Sequence, residues 1–373
     1  MTQEYLNSHE IRKLVENHVA TEKPIVSTQD ILDSGAVPRL KGYTIKPGKV
    51  SDSIFGGKGS YKNKAGETIE FENPPLDAID GTPLRIMVRT SQISTHDIKR
   101  GTIPFKDQIL AANHNFMRKL LTYAIGTSQL EFRDLSDNSI VIAAENLKQI
   151  PFENVLRAYM AKSSTSTSLY QHYVVQGKRE FCGHKLPENL IPNGILPYVM
   201  DTPSTKSDEH DESLSPEQMF ERGICTPDQY SKIKEASLFA FETVSKFLSR
   251  KGLLAVDTKT EHGINKAGQI VSQDEIWTMD SSRFWLMEDY NNQLVKLAAG
   301  EIKELDPKSY SKEFARGMSK GDQGYTDQQR VEIAFRYIEG IQHLLGRRFD
   351  PDMRSQQERV IDGLEKVVKQ LAA

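Results

Sequence analysis

Asp257, Lys259 and Glu261 follow one another at a spacing of two, directly after the apolar run Leu253–Val256. On a strand that spacing puts all three side chains on one face and Thr258, Thr260 and His262 on the other. Ile264–Gln269 contains Asn265 and Gly268 and reads as a turn, so a second strand, Gln269–Met279, is predicted to carry Asp274 and Glu275 back beside the first. A lysine among carboxylates on paired antiparallel strands suits a Mg²⁺–nucleotide site, where hard oxygens hold the metal and the lysine neutralises phosphate. The same pattern also suits a salt-bridged hairpin on a solvated sheet, and pattern alone favours the hairpin. Asp280–Ser281–Ser282–Arg283 then sets small hydroxyls and a guanidinium after the acidic strand, as an anion clamp would.

The elements that must position these residues are spread along the chain. Tyr43–Phe55 alternates apolar and polar residues around Pro47–Gly48–Lys49. There a glycine would let backbone approach phosphate and a lysine would supply charge. GxxxxGK[ST] is absent, so this is no Walker A loop, and pattern alone favours an ordinary hairpin. Leu84–Arg89 is predicted as a strand, followed by a polar loop, Thr90–Asp97. A helix starts at Phe105 with Ile109, Ala112, Phe116 and Leu120 inward, and Ser139–Ala144 is a further buried strand. Glu145–Pro151 reads as a hinge between two β-rich lobes, a usual place for a nucleotide cleft. Glu153 and Arg157 lie just beyond it, followed by the hydroxyl-rich Lys162–Ser168, by composition a linker and by position a phosphate cradle. Leu196–Ser215 is a polar segment whose candidates are Lys206, His210 and Asp211.

Capping boxes at Ser215 and Thr226 open helices. The second helix is predicted to bury Ile233, Ala236, Phe239/Ala240, Val244 and Phe247/Leu248 before Lys251–Gly252 closes it. Residues 1–40 begin with an amphipathic helix (Ile11, Leu14, Val15, His18/Val19; N-cap Ser8) and read as an extension packed on the main body. After Trp285 the chain turns polar. Two amphipathic helices end it, one capped at Thr326 with Val331, Ala334, Tyr337/Ile338 and Ile341 inward, the other burying Val360, Leu364 and Val367/Val368.

Composition narrows the function classes. At 27% charged residues and a net charge of −3 over 373 residues, no broad basic surface argues for nucleic acid. Cys182 and Cys225 lack metal or redox spacing, and Cys182–Gly183–His184 stands without partner ligands. The N-terminus has no apolar targeting core, and no run approaches the ~18 apolar residues of a membrane span. A soluble, cytoplasmic protein without membrane partners is expected.

Taken in order, these stretches resemble the SAICAR synthetase (phosphoribosylaminoimidazole-succinocarboxamide synthase) family. The hairpin GK-x-[RK]-D is matched by Gly48–Lys49–Val50–Ser51–Asp52, and TDRISA[FY]D loosely by Thr90–Asp97. IP-x-E-x-x-[VI]RGY is matched by Ile150–Pro151, Glu153 and Arg157–Ala158–Tyr159. The segment TPSTK…EHDE…S is nearly intact from Thr202 to Ser215. DTKFEFG and DE-x-x-TPDSSRFW correspond to Asp257–Gly263 and to Asp274–Glu275 with Thr278–Trp285.

The resemblance implies an α+β, two-lobed SAICAR synthetase-like fold: a kinase-like β-rich N-lobe (41–147), a larger ATP-grasp-type α/β lobe (148–373) with C-terminal helices, and the extension 1–40. It implies an ATP-dependent ligase of purine biosynthesis joining L-aspartate to carboxyaminoimidazole ribonucleotide, with Mg²⁺. Carried over, Gly48, Lys49 and Lys259 would meet the ATP phosphates, and Glu145, Leu147 and Gln149 the adenine. Glu261 and Asp274 would hold Mg²⁺, while Arg157, Ser163, Asp280, Ser281, Ser282 and Arg283 would bind the ribonucleotide. Lys206 and Asp211, with Lys259, would border the reacting groups. The chain departs from the pattern at Ser51, at Ser91–Gln92 in place of Asp-Arg, at Lys162 in place of glycine, at His262 in place of phenylalanine and at Met279 in place of proline. A kinase-like phosphotransferase, or a lapsed nucleotide-binding homologue acting on another acceptor, is the alternative, although HRD-x-x-x-x-N and DFG patterns are missing. A homo-oligomer is compatible with the sequence.

Overall fold

A computed structural model describes residues 4–22, 24–63, 65–96, 98–131, 135–206 and 211–371. Its organising element is the strand Leu253–Ile264, twelve residues long. Lys148–Tyr159 runs antiparallel along one edge of that strand. Along the other edge lie Ser282–Leu286, against its first half, and Ile270–Gln273, against its second. Ile195–Asp201 and Ser309–Tyr310 extend this sheet outward to seven strands, counting the short Ser204–Thr205.

A second, three-stranded antiparallel sheet pairs Leu84–Arg89 with Ser51–Phe55 and Val141–Glu145. The hairpin read around Gly48 is present, with Lys46 and Ser53 exchanging backbone hydrogen bonds of 2.8 and 2.9 Å. The polar loop expected at Thr90–Asp97 instead contains the strand Gln92–Thr95, and Asp97 lies outside the described residues. The hinge read at Glu145–Pro151 shortens to Asn146–Leu147, because Lys148, Gln149 and Ile150 already pair with Ile264, Gly263 and His262. Pro151 has no N–H to give that ladder. The register slips beside it, between Glu261 and His262, and the bulge sets Glu153 opposite Glu261.

The predicted strand Gln269–Met279 is corrected as well: it ends at Gln273. Asp274 and Trp277 take left-handed backbone at φ 60° and 53°. Asn113 holds the turn closed, donating to the Trp277 carbonyl (3.0 Å) and accepting from the Met279 N–H (2.9 Å). It belongs to the helix Lys106–Leu120, which starts one residue after the expected Phe105.

Helices cover the sheet. Pro227–Ser249 opens with the predicted Thr226 capping box and buries Tyr230, Ile233, Ser237, Ala240, Phe241, Val244 and Leu248. Phe239, expected inward, is 54% exposed, because the buried stripe runs one position to its side. The N-terminal helix Ser8–Thr21 is capped by Asn7, not Ser8, in a reciprocal box with Glu10. It docks as expected: Leu6 exchanges both backbone hydrogen bonds with the Gln342 amide (2.9 and 3.2 Å), and Ile11 and Val15 join the main core. The polar stretch after Trp285, for which the sequence predicts no element, holds the helices Met287–Ala298 and Lys312–Met318. The two closing helices, Asp327–Leu345 and Gln356–Val368, bury the predicted stripes.

Candidate active site

The outward positions of three neighbouring strands floor a cleft of ≈ 1310 Å³. Register does the assembling. Arg157, Asp257 and Arg283 stand in one row across three strands, and Glu153 stands beside Glu261 four rungs along. Asp257, Lys259 and Glu261 line this cleft as the predicted alternation requires, and Thr260 and His262 are buried away from it, but Thr258, buried and bonded to Ser282, also reaches the cleft. A smaller pocket of ≈ 210 Å³ shares Lys46, Ser53, Arg85, Gln149 and Asp274 with the cleft and adds Phe55, Met87, Ala144, Glu145 and Leu147. Gly48, Lys49, Ser163, Lys206, Asp211 and Asp280–Arg283 also border the cleft, so each candidate site residue lines one cavity or both. Glu209 and His210 of the same motif lie outside the described residues.

At one end two lysines share two carboxylates. Lys259 Nζ reaches Glu153 at 2.5 Å, and Lys206 Nζ reaches Glu153 at 3.2 Å while also pairing with Glu261. Burial pushes the Glu153 carboxyl up, but the two lysines more than reverse this and hold it below the usual range. Burial lowers Lys206 and Lys259, yet the facing carboxylates raise both on balance, so the lysines stay charged. Asp274, half-buried on the cleft wall, is pushed up by desolvation but held low on balance by Arg85, Arg89 and both lysines. Glu275 is pushed up by burial and by Asp280, and it accepts from the Thr278 hydroxyl at 2.6 Å.

The chemistry of Glu261 and Asp274 fits Mg²⁺ carried by a nucleotide: two hard oxygen donors on the cleft wall, to be completed by phosphate and water. Among the described residues no three metal-ligating side chains converge, so a dedicated all-protein cage is not what they form. The ammonium of Lys206 sits on Glu261, where a cation is already favoured.

At the other end Asp257 is gripped by Arg283 Nε at 2.9 and 3.0 Å and by Arg157 at 3.4 Å. The two guanidiniums hold its carboxyl below the usual range despite full burial. Thr202 Oγ1 and the Lys162 carbonyl accept the remaining bonds of Arg157 and Arg283, at 2.9 and 2.7 Å. The carboxylate thus pre-orients two cations toward the cleft. Asp280 has a different place from the one expected of an anion clamp. Its carboxylate is anchored by Lys106 (2.8 Å), the Tyr337 hydroxyl (2.6 Å) and Lys312 (3.7 Å), which hold it at about 2 against burial. Ser282 bonds Thr258 at 2.8 Å, and Ser281 accepts from the Thr278 N–H at 3.1 Å.

Sequence reading missed Lys46, Arg85, Lys312 and Arg316, which also line the cleft. Lys312, lowered to about 8 by burial and by Lys106 and Arg316, belongs to the helix Lys312–Met318, in the polar stretch for which the sequence predicts no element. An Arg two residues past an aspartate–serine pair was legible; a Lys–Arg pair on a short unrecognised helix was not.

A family model described as SAICAR synthetase matches residues 78–331, more than half of the chain. The chain belongs to the SAICAR synthetase family. Among its relatives, the chloroplastic phosphoribosylaminoimidazole-succinocarboxamide synthase of Arabidopsis thaliana is 30% identical over 88% of this chain and 78% of its own length. That of Legionella pneumophila (strain Paris) is 32% identical over 70% and 76%. The SAICAR synthase of Saccharomyces cerevisiae, solved with SAICAR, superposes with a TM-score of 0.62 at 23% identity, covering 83% of this chain and 97% of that one. A SAICAR synthetase solved with ADP gives 0.55 at 21% identity, covering 83% and 100%. The α+β architecture is that of the family.

The departures from the SAICAR synthetase pattern now have places. Lys162 turns away onto Glu304 at 2.9 Å, while its N–H donates to Asn193 at 2.8 Å. The Gln92 carbonyl accepts from Lys106 at 3.2 Å, tying this strand to the Asp280 anchor. Ser51 stays at the cleft, and Met279 is buried against the helix Asp327–Leu345, where a Cβ on Gly340 would lie 2.9 Å from its sulfur. The substitutions therefore leave the lysine–carboxylate cluster and the Arg157–Asp257–Arg283 row whole.

Proposed function

We propose that this chain is an ATP-dependent carbon–nitrogen ligase of purine biosynthesis that joins L-aspartate to carboxyaminoimidazole ribonucleotide, giving SAICAR, ADP and phosphate. The observation that carries the reading is one cleft in which a lysine–carboxylate cluster and an arginine–aspartate row share a sheet face, in a chain of this family. A carboxylate is a poor acyl donor at neutral pH. Its oxygen attacks the γ-phosphorus, ADP leaves, and the carboxyl carbon becomes electrophilic. The aspartate amine then attacks that carbon, inorganic phosphate departs and a proton is lost, leaving an amide. The protein's share is positioning and charge neutralisation.

In this reading the adenine enters the smaller pocket against Leu147, Gln149 and the backbone at Glu145. The phosphates run past Gly48 and Lys49 toward Lys259. A Cβ at Gly48 would lie 2.1 Å from the Ser51 carbonyl oxygen, so the turn has room only for glycine. Glu261 and Asp274 would hold Mg²⁺, which neutralises phosphate charge when bound. Lys206 would then leave Glu261 for the reacting groups beside Asp211. Arg157, Arg283, Ser163, Ser281 and Ser282 receive the ribonucleotide, with Asp280 holding the last of these segments in place. The lobe boundary at 147/148 and a cytoplasmic location belong to this proposal; no helix among the described residues is long and apolar enough to cross a membrane. The phosphotransferase and lapsed-homologue alternatives are not favoured by the family assignment. A coupled assay decides: ADP release should require both L-aspartate and the carboxyaminoimidazole nucleotide, and release with either one omitted would refute the ligase.

A further inference from the structure

Behind the catalytic strands lies a group of polar side chains that the ligase reading does not use. Asn154, Thr260, His262 and Ser237 are between 1% and 4% exposed. Six of their side-chain atoms (both amide atoms of Asn154, both ring nitrogens of His262, and the hydroxyl oxygens of Thr260 and Ser237) have no hydrogen-bond partner among the described protein groups. Buried polar atoms in folded proteins are overwhelmingly paired, with protein or with water.

Topology puts these four side chains in one layer. Thr260 and Asn154 are direct partners in the ladder, and same-face partners stand side by side. His262 is two residues along on the same face of its strand. Asn154 lies between Phe152 and Leu156 on its strand, and Ser237 between Ile233 and Phe241 on the helix Pro227–Ser249. Phe152 and Ile233 belong to one apolar cluster, Leu156 and Phe241 to another. The polar layer therefore sits at the seam between two apolar clusters, with the sheet on one side and the helix on the other.

We propose that this seam is an internal water-binding site. The donor set selects the ligand class. It contains an amide, two hydroxyls and an imidazole, which together offer both donors and acceptors. A cation would leave the amide N–H groups unpaired and an anion would leave the carbonyl unpaired; water satisfies both kinds. A buried water makes about three hydrogen bonds, so six atoms call for about two waters. The site lies directly under the bulge at Pro151 and His262, where ladder pairing is interrupted. The waters bridge strand to strand and strand to helix there, and so hold the rung that presents Glu153 and Glu261 to the cleft.

A crystal structure of the full chain, at a resolution where single waters are seen, should show about two ordered waters shared by Asn154, Thr260, His262 and Ser237. Direct hydrogen bonds among these side chains with no water between them would overturn the proposal. In solution, deuteron relaxation dispersion of the solvent should lose the contribution of these long-lived waters in the variant Asn154→Val/Thr260→Val/His262→Phe/Ser237→Ala, and an unchanged amplitude would contradict it. If that variant does not fold, the unmodified chain in the crystal still decides. Neither readout uses a substrate, so failure here is separate from failure of the proposed reaction.

Discussion

At the residue scale, the cleft is balanced by Glu153. It is the common anion of Lys259 and Lys206 and is itself 5% exposed. Replacing it by Gln keeps the shape and removes the charge that holds both ammonium groups at the cleft. Turnover of Glu153→Gln is expected to fall by one to two orders of magnitude, roughly the ~1.5–3 kcal/mol of a charged hydrogen bond. Stability should change less, because both lysine heads reach solvent. Steady-state kinetics beside a melting curve would separate the two, and unaltered turnover would remove Glu153 from the site. Glu261→Gln tests the metal assignment. Mg²⁺-dependent turnover should be lost with the melting temperature preserved, and near-normal activity at ordinary Mg²⁺ would refute it. The Asp257–Lys259–Glu261 face was legible in the sequence because strand alternation is local. The partnership of Lys259 with Glu153, 106 positions away, was not legible, since it depends on which strands pair and on a bulge made by one proline.

At the element scale, the turn after Gln273 is where local pattern and structure part. The segment Gln269–Met279 has strand-like composition, but the side chain of Asn113 captures two backbone groups of the turn and so ends the strand early. No window of local sequence contains that clamp. Asn113→Ala removes both hydrogen bonds from a fully buried site and leaves the Trp277 carbonyl and the Met279 N–H unpaired, with an expected cost of roughly 2–4 kcal/mol. Because Asp274 enters the cleft from this turn, the variant should also need more Mg²⁺ for half-maximal rate. Denaturant unfolding and a Mg²⁺ titration measure the two effects; an unchanged Mg²⁺ requirement would separate the turn from the metal. The helix Lys312–Met318 escaped for a related reason. Among its side chains only Ala315 is fully buried, so it has almost no apolar stripe to read, whereas the helices from Thr226 and Thr326 announce themselves by capping boxes and regular stripes.

At the scale of the whole molecule, two neutral imidazoles couple the fold to pH. His262 is lowered to about 4 by burial. His114 is lowered to about 3 by burial and by Arg89 and Arg118, against its bond to Gln129. The geometry at His114 agrees with a neutral ring: Nδ1 accepts the Ile276 N–H at 3.1 Å, and Nε2 meets the Gln129 carbonyl oxygen at 2.8 Å. In the unfolded chain both rings take up a proton near pH 6.5, the ordinary value. Between that pH and the folded values the unfolded state therefore binds more protons than the folded one. Stability is full above about pH 6.5 and falls as the pH drops toward 4, by on the order of 3 kcal/mol for His262 alone. His262→Phe removes one of the two titrating groups. Its melting temperature should drop less steeply from pH 6.5 to pH 4 than that of the unmodified chain, whatever its value at neutral pH. Equal slopes for the two proteins would mean that His262 is not buried as a neutral ring, and the polar seam between helix and sheet would then need another arrangement.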